Sequence, residues 1–360
     1  MKIALIGRYG EGDILPGPER VARELYKQLK KKNVDVTFIE YFFSGYSNYT
    51  FLNKIFGRKR NDDGVLQLGV IPLIIRLLAK QNDVIHFINS QRFLLIIYFL
   101  KIFLSAKIFS TIHGVNKFEL PENRRKRQFL DNLTEKFLLK KSDVIIFPSK
   151  LLREVFIKEF KRYQKKFNVI PNGVGAEFRA KKIFHSFNNE ITMIFYNSFD
   201  SSVKKGLKNL LEDLSEVKNI KIKLFVIGNE EKADNSNSDL EIIFCGHMNH
   251  HDLINLSEKV QFIIKSGAFE SFSIVVAECM TMGIIPVICE NTGIKDFIEN
   301  NINGFIYNSS EKGDLASLVK KIWERKYDLN MISVNAARIY EKLDWENVSE
   351  QYISLYKSVK

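Results

Sequence analysis

Short, almost continuously apolar runs alternate along the chain with stretches in which apolar side chains recur every three or four positions. KIALIG, DVTFIEY, DVIHFIN, KIFSTIH and DVIIFPS have the first pattern, expected of strands buried on both faces. PERVARELYKQLKKK and IPLIIRLLAK, lying between them, have the helical spacing. The pattern then starts afresh. ITMIFYN, KIKLFVIGN, LEIIFCGH, VQFIIKSG and IIPVICE read as strands, helices follow Gly206 and Glu270, and helices dominate from Asp314 onward. Such alternation predicts an α/β protein of two doubly wound domains, with the boundary between Asn172 and Asn189.

The longest apolar stretch, Phe93 to Phe109, is interrupted by Lys101 and falls well short of the roughly 20 residues that cross a bilayer. It is expected to form a buried helix followed by a strand. The apolar run near Met1 is too short for a signal-peptide core and reads as a first strand. A chain of 360 residues with 45% hydrophobic content can fill two cores, which excludes a disordered protein. The three cysteines, Cys245, Cys279 and Cys289, lack metal-ligand pairing in their spacing. They are expected to be reduced thiols, which fits a cytoplasmic location.

Charge changes the picture more. The net charge of +12 is concentrated in clusters at Gly57 to Arg60, Arg124 to Arg127 and Lys158 to Phe167, all in the first half. An anionic membrane surface fits this distribution, with the protein peripheral on its inner face. Nucleic acid is not expected as a partner, because no helix-turn-helix, zinc or RNP-like pattern accompanies the charge.

Candidate chemistry is densest in SGAFESFSIVVAECMTMGIIPVICE, residues 266 to 290. Glu270 lies in a turn, and Glu278 lies on the helix that the turn opens. The first turn of a helix leaves backbone N–H groups free to bind anions, so the segment suits a phosphorylated ligand. The two carboxylates suit the hydroxyls of a sugar or ribose.

The same segment resembles glycosyltransferase family 4, where it reads E-G-F-G-x-x-x-x-E-A-M-A-x-G with P-V-I close behind. Glu270, Phe272, Glu278, Met280, Gly283, Pro286 and Val287 match. Ser271 and Ser273 stand where the family has glycines, and Cys279 and Thr281 where it has alanines. A serine there can cap the helix. Val169 to Val174, VIPNGV, matches the linker motif of the family nearly letter for letter.

The resemblance implies the GT-B fold, in which two Rossmann-like domains face each other across a cleft. Residues 1–175 are then the acceptor-side domain and 176–340 the nucleotide-sugar domain. Residues 341–360 form a helix crossing back to the first domain. It also implies a retaining, metal-independent hexosyltransferase, with a nucleotide diphosphate-sugar as donor, a glycan or lipid-linked acceptor and no cofactor. No Asp-x-Asp occurs that would hold a metal on the diphosphate.

Residue by residue, the resemblance gives Glu278 the ribose and gives Glu270 and the backbone of Phe272, Ser273 and Ile274 the donor sugar. His113 binds a sugar hydroxyl, and Lys205, with the Gly17 backbone, faces the diphosphate. The family places Gly-Arg before that lysine, whereas this chain has Asn197-Ser198. The missing arginine leaves open a second reading, a non-catalytic nucleotide-sugar-binding partner subunit. A nucleotide-sugar epimerase of the same fold is a third.

Overall fold

The computed structural model describes residues 1–10, 12, 15–41, 50–88, 100–114, 137–179, 189–196, 204–228, 238–267 and 269–359. The chain divides into two compact units, Met1–Asn172 with Trp345–Lys360, and Gly173–Asp344.

In the first unit the strands are β1 (Lys2–Gly7), β2 (Asp35–Tyr41), β3 (Arg58–Arg60), β4 (Leu66–Leu68), β5 (Val84–Ile88), β6 (Lys107–Thr111), β7 (Val144–Phe147) and β8 (Phe167–Val169). They form one sheet in the order β3-β4-β2-β1-β5-β6-β7-β8. Every pairing is parallel except β3 with β4. Helices α1 (Gly17–Lys31), α2 (Phe51–Phe56), α3 (Val70–Ala79) and α4 (Lys150–Phe160) connect them.

The second unit repeats the plan with β9 (Ile191–Tyr196), β10 (Ile222–Ile227), β11 (Leu240–Gly246), β12 (Phe262–Lys265), β13 (Ile285–Cys289) and β14 (Phe305–Tyr307). The order is β11-β10-β9-β12-β13-β14, parallel throughout. Its helices are α5 (Lys204–Ser215), α6 (His250–Ser257), α7 (Ile274–Thr281), α8 (Asp314–Trp323), α9 (Leu329–Ala337) and α10 (Tyr340–Leu343). Two apolar layers, one led by Phe195, Leu224 and Phe262 and the other by Phe272, Val276 and Met280, make its core.

The last helix, α11 (Trp345–Lys357), belongs to the first unit and packs against α1. Its Tyr352 and Tyr356 are fully buried. Tyr356 Oη lies 2.6 Å from His86 Nδ1, and His86 Nε2 lies 2.7 Å from Thr111 Oγ1.

Two local expectations change. Helix α1 starts at Gly17 rather than Pro18, with Pro16 before it and Pro18 in its first turn, where a missing N–H costs nothing. Of the Phe93 to Phe109 stretch, β6 forms as expected, Lys101–Phe103 is a 3₁₀ turn with Ile102 and Phe103 exposed, and the helical part lies outside the described residues. Arg124 to Arg127 lie outside them too. Among the described residues, no helix is long and apolar enough to cross a membrane.

Candidate active site

An open parallel sheet binds ligands beyond the carboxyl ends of the two strands where its order reverses. In the second unit those strands are β9 and β12. The turn after β12 carries Glu270 and opens α7, while α5 follows β9. Ser266 Oγ donates to Gly206 O at 2.6 Å, fastening the start of α5 to the end of β12. A Cβ at Gly206 would lie 3.0 Å from Ser266 O, so this approach favours glycine. Lys205, next to that contact, is thereby held on helical backbone beside the Glu270 turn; its side chain lies outside the described residues.

Glu270 is fixed at both ends. Its N–H donates to Asn291 O at 3.0 Å and its carbonyl accepts from Gly293 N–H at 2.8 Å, so the turn after β13 holds the turn after β12. Its side chain, 29% exposed, meets Lys265 Nζ at 3.0 Å, and Lys265 is almost wholly buried at the end of β12. Phe272 is buried and packs edge-on against Phe297, which anchors the turn in the core.

Ser273 occupies the N-cap of α7, but not as a serine cap. Its φ and ψ of 75° and 78° are left-handed, and its hydroxyl makes no capping bond. A capping serine needs extended backbone to bring its oxygen to the next N–H groups. This backbone is one that glycine adopts freely. Ile274 begins the helix, and Glu278, one turn in, has no exposed surface. Thr281 Oγ1 donates to Phe178 O at 3.0 Å and ties α7 to the start of the unit. At the other end, Gly283 N–H reaches Met280 O at 2.8 Å and Ile284 N–H reaches Cys279 O at 3.0 Å. This is a Schellman closure, and the motif glycine supplies its left-handed residue.

In the first unit, the glycine-bearing loop after β1 leads to Gly17, the first residue of α1. Arg23, two turns into α1, holds the loop: its Nη2 donates to Gly10 O at 2.6 Å and its Nη1 to Gly12 O at 3.0 Å. Buried Glu40 accepts from Tyr9 N–H at 3.0 Å and from Gln67 Nε2 at 3.0 Å. His113 follows β6 by two residues, and its Nε2 is buried with no hydrogen-bond partner among the described residues. Burial holds the His113 ring well below the usual histidine range, at about 4, so it is neutral at pH 7. A neutral ring with an unspent buried nitrogen suits hydrogen bonding better than proton transfer.

The profile described as Glycosyltransferase Family 4 matches residues 16–178, and the one described as Glycosyl transferases group 1 matches residues 177–339. The chain belongs to glycosyltransferase family 4. An uncharacterized glycosyltransferase of Methanocaldococcus jannaschii is 23% identical over 238 residues, 59% of each chain. The lipopolysaccharide 1,2-N-acetylglucosaminetransferase of Salmonella typhimurium is 23% identical over 276 residues, 69% of this chain and 66% of the relative. The chain thus spans somewhat less than two thirds of the length of these two relatives. Anabaena HepE, solved in complex with UDP-glucose, superposes with a TM-score of 0.70 over 99% of this chain and 100% of its own, at 16% identity. The likeness in structure shows the GT-B fold.

For this member of glycosyltransferase family 4, sequence reading passed over Lys265, Arg23 and Glu40. Lys265 carried a signal, since a lysine closing an apolar strand must find a partner. The cysteines behave as expected of inert thiols: burial pushes all three upward in pKa, so they stay protonated at pH 7.

Proposed function

We propose that the chain is a retaining, metal-independent hexosyltransferase that moves a sugar from a nucleotide diphosphate donor to a hydroxyl of a glycan or lipid-linked acceptor. One observation carries this reading most: Glu270 and Glu278 bracket a left-handed helix start at the strand reversal of the second sheet. Glu278 takes the ribose, Glu270 and the backbone from Phe272 to Ile274 take the donor sugar, and Lys205 neutralises the leaving diphosphate. From the first unit, Gly17 and His113 are assigned to the donor phosphate and a sugar hydroxyl. Glu278 is fully buried on α7. The solved UDP-glucose complex of HepE supports a nucleotide-sugar donor, and the lipopolysaccharide transferase of Salmonella typhimurium supports a cell-surface glycan precursor as acceptor.

With front-face departure, the leaving phosphate itself accepts the proton of the incoming hydroxyl, so the scheme needs no dedicated base. Metal independence rests on the lack of an Asp-x-Asp sequence. Ser198 in place of the family arginine favours one other reading, a partner subunit that binds donor without turnover.

Ligand-detected nuclear magnetic resonance with UDP-, GDP- and ADP-sugars tests the assignment on the wild type and Glu278→Ala. Selective binding of one nucleotide sugar, lost in the variant, is expected. Absence of binding by folded wild type overturns it, and binding without turnover on any acceptor supports the partner-subunit reading.

A further inference from the structure

Away from these residues, the edge of the first sheet borders a cavity of about 460 Å³ into which five cations converge. Arg58, Lys59 and Arg60 come from β3, and Arg76 and Lys80 from the end of α3. The lining contains no aspartate or glutamate, and none of the five forms an ion pair among the described residues. Burial, and then the charge of Arg60, lower the pKa of Arg76, so the two guanidiniums repel each other across the cavity.

Basic residues on an edge strand have an ordinary use, since they discourage pairing with another sheet. That accounts for β3 alone. It does not account for Arg76 and Lys80, which approach from a separate helix, or for the apolar residues beside them. Helix α2, directly before β3, has no buried residue and exposes Phe51, Leu52 and Phe56 at 75%, 66% and 58%. Along α3, Ile71, Ile75 and Leu78 fall at i, i+4 and i+7 and form an exposed stripe, of which Ile75 also borders the cavity. Gly69 N–H donates to Gly57 O at 2.8 Å, joining the end of α2 to the start of α3, so stripe and cavity share one structural block.

We propose that this block docks on an anionic lipid leaflet. A phosphate-bearing headgroup enters the cavity among Arg58, Arg60 and Arg76, while Phe51, Leu52 and Phe56 enter the headgroup and acyl boundary. Cations around a phosphate and aromatic side chains at that depth are how interfacial helices hold a membrane. A nucleic acid or an acidic protein would match the charge but leave the exposed phenylalanines in water. The proposal deepens the reading of a lipid-linked acceptor by giving the first unit a surface from which to reach it.

The test is co-sedimentation of the full chain with phosphatidylcholine vesicles, with and without about one third phosphatidylglycerol. Preferential binding to the anionic vesicles is expected. Each cation near an anionic surface contributes about fivefold, so Arg58→Ala with Arg60→Ala should weaken binding by about 25-fold. Phe51→Ser with Phe56→Ser should weaken it at any salt concentration, and Phe56→Trp should shift its emission to the blue on anionic vesicles alone. Equal binding to both vesicles, no binding, or capture by duplex DNA with vesicles left free overturns the proposal. Circular dichroism and nucleotide-sugar binding on the same variants separate docking from folding and from the donor site. Vesicle binding without nucleotide-sugar binding would sink the transferase reading and leave the docking surface standing.

Discussion

Lys265 Nζ and Glu270 Oε2 form an ion pair at 3.0 Å in which the lysine is buried and the glutamate is partly in water. The asymmetry sets unequal costs for its two halves. Glu270→Ala strands a cation in the core of the second unit, whereas Lys265→Met leaves a carboxylate that water can still reach. The first is predicted to cost about 2 kcal/mol and the second less than about 1, below the full penalty of breaking a wholly buried pair. Thermal unfolding followed by circular dichroism distinguishes them, and equal losses would contradict the asymmetry.

Ser273→Gly is predicted to stabilise the protein by about 1 kcal/mol. Left-handed backbone costs a residue with a Cβ on that order, and the serine recovers nothing through a capping bond. A urea midpoint that moves upward at unchanged slope is the expected result; a fall would mean that the hydroxyl holds the turn in some other way.

His86 and His113 make stability pH-dependent. Burial, then the neighbouring His113, hold His86 down at about 3, and burial holds His113 at about 4, while the unfolded rings titrate near 6.5. Below that value the unfolded chain binds protons that the folded one refuses. Their contribution is whole above about pH 6.5 and declines as pH falls toward 4, by up to about 1.4 kcal/mol per pH unit for each ring. Unfolding midpoints from pH 7.5 to 5 should fall, and His113→Asn should flatten the slope. Tyr356→Phe, which strips His86 Nδ1 of its partner, is predicted to cost about 1–3 kcal/mol.

Lys205→Ala is predicted to reduce turnover about a hundredfold with little change in donor affinity, since one lost electrostatic donor to a leaving group costs about 3 kcal/mol in the transition state. Steady-state kinetics on the variant check this. A near-normal rate would remove Lys205 from the diphosphate.

The repeating strand and helix plan was legible because both sheets are buried and their strands are apolar throughout, a signal independent of long-range detail. The glutamate pair and the linker were legible because spacing survives substitution. Ser273 was not: sequence shows a residue type that caps helices, while only backbone geometry shows a dihedral angle that prevents it. The Lys265 pair and the contact of His86 with Tyr356, 270 positions apart, depend on which strand lies beside which helix. Sequence periodicity carries no information of that kind.

The first unit contains its own final helix, separated from the rest by the whole of the second. Residues 173–344 can therefore complete their own fold while β5 and β6 still await the tyrosines that cover His86. Chain order runs opposite to spatial order: the later unit needs nothing beyond residue 344, whereas the earlier one stays incomplete until α11 docks on it. A released chain ending at residue 344 should yield a protease-resistant second unit attached to a first that is still readily cut.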